Sequence, residues 1–135
     1  MSIETFDDLL QAAKLQQQPQ RLLMVFANAE LPPDANAAQR AAFDAGDGGA
    51  LVPHMCVDKL PQEIASFAAL TLEAKDPAPE WRMVFVTAMS GTLGAAPSSQ
   101  SADQPLQRMV EKIRAGKLEG LLPFDRQGIA VHLET

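Results

Sequence analysis

The chain has 135 residues, 47% of them hydrophobic, and 11 basic against 17 acidic side chains give a formal net charge of −6. This size and composition fit one folded domain and exclude a chain disordered throughout. The acidic balance repels a phosphate backbone, so nucleic acid is not an expected partner.

Residues 1–10 carry Glu4, Asp7 and Asp8 and no basic side chain, unlike the basic start of an export signal. The most apolar run, 22–27, is far shorter than the roughly 20 residues of a membrane-spanning helix, and no membrane association is expected. Cys56 is the single cysteine, which excludes an internal disulfide, a CxxC redox pair and a cysteine-rich zinc site. The expectation is a cytoplasmic domain without a cofactor.

Phe6, Leu9, Leu10 and Ala13 recur at helical spacing behind Thr5 and Asp8, which form a variant capping box. After the polar break at 16–20, residues 22–27 are apolar without alternation, as in a strand covered on both faces. Asn36 caps a short helix running toward Gly46, and the glycines at 46, 48 and 49 end it. A second strand is predicted over 50–58, with Pro61 then placed in the first turn of an apolar helix that includes Ile64, Phe67, Leu70 and Leu72.

Pro77 and Pro79 mark a linker before a third strand over 82–88, and the Gly-, Ala- and Ser-rich stretch 91–101 reads as a mobile loop. Leu106, Met109, Val110 and Ile113 form a further helical stripe, closed by Gly116. Segments 121–124 and 129–134 flank a four-residue turn and read as a hairpin. Helices alternating with buried strands imply crossovers. The predicted fold is a single α/β domain over 1–135, a mixed sheet of about five strands with a parallel core and a C-terminal antiparallel hairpin, with helices packed on the sheet.

Period two in the second strand puts His54, Cys56 and Asp58 on one face and Leu51, Pro53, Met55 and Val57 on the other. Thiol, imidazole and carboxylate are the types of a nucleophilic site. Neighbours on one strand point in parallel rather than converge, so Cys56 is expected to be a buried structural thiol and no catalytic residue is assigned. A metal site would have to add His132 to His54, Cys56 and Asp58, and nothing in the spacing requires one. Gly46, Gly48 and Gly49 precede a strand rather than link a strand to a helix, and Gly91 with Gly94 lacks the lysine of a phosphate-cradling loop. Arg108, Lys112, Arg114 and Lys117 read as a solvated helix face.

Parallel strands gather their carboxyl ends, where ligands settle in open sheets. Asn28, Asp58, Lys59, Ser90 and Thr92 are therefore the candidate ligand-binding residues, with 91–101 as a lid. The edge formed by 129–134 is exposed in this arrangement, and a homodimer is expected through it.

The run Arg21-Leu-Leu-Met-Val-Phe-Ala, the stretch Gly48-Gly-Ala-Leu-Val-Pro-His-Met-Cys-Val-Asp-Lys, the segment Val84-Phe-Val-Thr-Ala-Met-Ser-Gly and the tail Pro123-Phe-Asp-Arg-Gln-Gly resemble a small family of uncharacterised bacterial proteins. Its members often carry the label "ribonucleotide reductase subunit alpha". Radical reduction of a ribonucleotide needs a thiyl cysteine and a redox pair, whereas this chain has Cys56 alone. The resemblance brings no established activity with it, and at most implies a small protein associated with that pathway. The functional expectation is an accessory or protein-interaction domain without catalysis, its partner unidentified. The alternative is a small-molecule-binding or enzymatic domain with a pocket at the strand ends.

Overall fold

The computed structural model describes residues 3–31, 34–44, 50–74 and 81–131. Helix α1 (Phe6–Lys14) begins at the predicted box: Thr5 Oγ1 accepts from the Asp8 amide at 3.1 Å, and the Asp8 carboxylate accepts from the Thr5 amide at 3.2 Å. This reciprocal pair satisfies donors that a helix start otherwise leaves open. Strand β1 (Gln20–Glu30) follows, then helix α2 (Ala37–Asp44), where Asn36 Oδ1 accepts from the Gln39 amide at 2.8 Å. The remaining elements are β2 (Ala50–Lys59), α3 (Phe67–Ala74), β3 (Met83–Ser90), α4 (Asp103–Arg114) and β4 (Leu122–Asp125). Pro61 opens a 3-10 turn, Pro61–Glu63, ahead of α3, so the helix predicted from Pro61 starts later. The glycines at 46, 48 and 49 and the prolines at 77 and 79 lie outside the described residues.

The sheet has the order β2-β1-β3-β4, and every neighbouring pair is antiparallel. This corrects the expected mixed sheet: it has four strands and no parallel core. β2 and β3 do run in the same direction, as helical crossovers require, but β1 lies between them. The helix-bearing connection thus links parallel strands that never touch. The predicted hairpin survives as its turn, in which Asp125 Oδ1 accepts from the amides of Gln127 at 2.8 Å and Ile129 at 3.0 Å. Beyond the turn, Ala130 bridges Phe124 and Ile129 bridges Thr5, in place of a fifth strand. Residues 132–135 lie outside the described residues.

Residues 22–27 have no exposed surface, because each face of β1 carries its own core. Leu22, Met24 and Phe26 face α1 and α3, packing with Phe6, Leu10, Phe67 and Trp81. Leu23, Val25 and Ala27 face α4, packing with Leu106, Met109 and Ile113. Full burial of each large apolar side chain contributes about 1.5–3 kcal/mol. Phe6 fastens the first layer, with its ring 5.1 Å from that of Phe67 and 5.7 Å, edge-on, from that of Phe124.

Two glycines with positive φ provide a matched test of packing against backbone strain. A Cβ on Gly128 (φ 81°) would approach the Phe67 ring to 2.8 Å, whereas one on Gly94 (φ 80°) would meet nothing within 4 Å. Gly94→Ala is expected to cost about 1 kcal/mol through backbone strain alone. Gly128→Ala should cost about 1–3 kcal/mol more because the aromatic cluster must shift. Urea denaturation of the two variants measures the difference, and equal losses would remove the Phe67 contact as its cause.

Candidate functional site

β2 is an edge strand with a bulge. Met55 lies opposite Phe26 and Pro53 opposite Ala27, so β1 advances by one residue where β2 spends two, and His54 is the extra residue. Proline has no N–H for the ladder and is tolerated at edges and bulges, and Pro53 sits at both. The bulge overturns the strict alternation expected for this strand. Cys56 and Asp58 lie opposite Val25 and Leu23 on the α4 side, as do Leu51 and Pro53 opposite Ala29 and Ala27. Met55 and Val57 pack on the α1 side, and the alternation that set His54 level with Cys56 is gone.

Between Cys56 and one flank of α4 lies an open cleft of about 420 Å³. Helical spacing brings Asp103, Gln107, Val110, Glu111 and Arg114 to that flank, beside Leu106. Cys56 is exposed, which corrects the expected buried thiol: its strand is the rim of the sheet, not its interior. The cleft still removes enough water to push the Cys56 thiol pKa up, since desolvation disfavours the thiolate. The lining combines apolar side chains, two carboxylates, a guanidinium and a thiol whose raised pKa disfavours the nucleophilic thiolate. Among the described residues, no group of three or more His, Cys, Asp and Glu side chains could hold a metal ion. His132 lies outside them.

The five candidate strand-end residues do not share a location. Antiparallel pairing puts Asn28, opposite Val52, at one end of the sheet, and Lys59 and Ser90, opposite Leu22 and Gln20, at the other. The Asp58 carboxylate accepts from Arg21 Nη1 at 2.7 Å, with the two side chains only 18% and 12% exposed. Lys59 lies on the opposite face and pairs with Glu73 at 3.0 Å. Ser90 Oγ accepts from Gln20 Nε2 at 2.9 Å, and Asn28 Oδ1 accepts from the Ala29 amide at 2.9 Å. Thr92 exchanges backbone hydrogen bonds with Ala95 around a tight turn through Leu93 and Gly94, both at positive φ.

The segment read as a lid is tied down. The Gly91 amide donates to the Pro19 carbonyl at 2.8 Å, the Gly94 amide donates to Gln18 Oε1 at 2.9 Å, and Arg21 Nε donates to the Pro97 carbonyl at 2.7 Å. Arg21 thus joins β1, β2 and this loop. The sequence reading missed Arg21, Asp103, Gln107 and Glu111. The last three were detectable as the polar border of the Leu106 stripe, and Pro53 as a marker of edge and bulge.

Comparison with protein-family models, with curated proteins and with solved structures finds no match for this chain. Among the described residues, no helix is long and apolar enough to cross a membrane.

Two outcomes are expected. Native Cys56 should react fully with iodoacetamide but more slowly than free cysteine near neutral pH, and the gap should narrow as pH rises and the thiolate forms. A native rate above that of free cysteine at pH 7 would contradict the raised pKa. Arg21→Met, which keeps the apolar stem, should cost about 1–3 kcal/mol by stranding Asp58. It should also speed amide exchange at Gly91 and Gly94, while unchanged exchange there would show that Arg21 does not hold the loop.

Proposed function

We propose that this is a noncatalytic, cytoplasmic protein-interaction domain whose docking surface is the outer edge of β2 with the adjoining cleft. The supporting observation is the asymmetry of the two sheet edges. β4 is followed back along its outer side by its own chain, with the Val131 amide donating to the Pro123 carbonyl and the Asp125 amide to the Ile129 carbonyl, both at 3.0 Å. Among the described residues no strand pairs with the outer edge of β2, ten residues long. An uncovered edge offers N–H and C=O groups to an extended segment of another chain, and a neighbouring cleft selects its side chains.

A small molecule in the same cleft is the second reading, favoured by its volume of about 420 Å³, a size that suits a small ligand. Two assays separate the readings. Random peptides displayed against the domain should enrich extended sequences that protect β2 amides from exchange, and Gln107→Trp, which fills the cleft, should weaken them at least about tenfold. If no peptide is enriched and a metabolite raises Tm in the wild type but not in Gln107→Trp, the docking reading falls and the second replaces it.

A further inference from the structure

The flank of α4 that lines the cleft is complementary to itself. Asp103 opens the helix and Arg114 closes it, and both line the cleft. A two-fold axis alongside α4, level with its middle, lays an antiparallel copy of the helix beside it and sets each Asp103 against the partner's Arg114. The same rotation sets Gln107 against the partner's Val110 and Glu111 against the partner's Leu106, so no like charges meet between the charged pairs.

The sheet follows the same symmetry. Among the described residues, Cys56 is the one β2 residue that lines the cleft, together with both Asp103 and Arg114, and an axis placed beside it serves the strand and the helix at once. Two β2 edges related by this axis run antiparallel, the relation every other pair in the sheet already has. With Cys56 opposite the partner's Cys56, Met55 meets the partner's Val57 on the far face, where both half-buried side chains border the α1 core. The charges that protect an edge are already engaged, Asp58 by Arg21 and Lys59 by Glu73, and Pro53 with its bulge limits the pairing at one side of Cys56.

We propose that a second copy of this chain occupies the docking surface, pairing β2 with β2 and α4 with α4 about a two-fold axis near Cys56. The two sheets then form one continuous antiparallel sheet, and the partner's α4 closes the cleft. This inference rests on the reading of the β2 edge and cleft as a docking surface, and it moves the dimer expected at 129–134 to the opposite edge.

The test is a charge exchange between two variants. The wild type should sediment at twice the chain mass of 14.5 kDa. Asp103→Arg and Arg114→Asp should each weaken self-association at least about tenfold, since each puts like charges together twice. An equimolar mixture of the two should associate as a heterodimer with affinity restored, because every altered side chain then faces its opposite. Mixing cannot repair a misfolded variant, so restoration separates interface loss from damage to α4. Mild oxidation should cross-link the wild type through Cys56, and Cys56→Ser should abolish the cross-link.

A wild type that stays at 14.5 kDa at high micromolar concentration overturns the inference, as does a dimer that neither reversal weakens. If the monomer still captures displayed peptides along β2, only the second copy is wrong and the docking surface stands. If it captures none, both fail.

Discussion

The structure is organised by the need to bury residues 22–27 on both faces and both edges. A strand with no exposed surface over this stretch requires a hydrogen-bonded neighbour on each side and an apolar layer above and below. β2 and β3 supply the neighbours, and the helices supply the layers. A helix is about 10 Å across and strands lie about 4.8 Å apart, so one helix covers about two strands. The face served by α1 and α3 has helices enough for the sheet. The core on the other face draws its helical side chains from α4, with Ala102 at its entry; α4 lies over β2 and β1, and the cleft opens between its outer flank and Cys56 on the edge strand.

Arg21 shows how a candidate site can be absorbed into the scaffold. Asp58 is a carboxylate near the end of a strand, the kind of group that binds a ligand hydroxyl or cation. Here it neutralises an arginine whose other donor holds a loop carbonyl 76 residues along the chain. Lys59 and Ser90 are likewise paired, with Glu73 and Gln20. The polar groups around the Cys56 cleft come instead from the flank of a helix whose apolar face is occupied with the core.

The elements written in local pattern were legible. The Thr5 and Asp8 box, the continuous apolarity of 22–27, the Asn36 cap and the stripe of α4 each follow from neighbours within about a turn or a strand. Strand direction is not written locally. Continuous apolarity says that both faces are covered, which holds for a central antiparallel strand between helices as well as for a parallel one. Helices between strands imply a crossover, but not which strand is passed on the way. From that one ambiguity came the parallel core, the gathered strand ends with Asn28 on the same side as Ser90, and the burial expected for Cys56. Pro53 held the missing information, since a proline in an apolar strand marks an edge or a bulge.

The central position of β1 also bears on how the chain is made. β1 is synthesised before one of its two partners, β3, which lies more than 50 residues downstream. Until β3 emerges, a run of six apolar residues with high sheet propensity keeps one edge unpaired, the kind of segment that joins strands from other nascent chains. The Gln-rich break at 16–20 and Arg21 stand immediately before it, where polar and charged side chains act as gatekeepers against such pairing. Arg21 would then serve twice, first as a repelling charge on an unfinished chain and later as the clasp of the finished one.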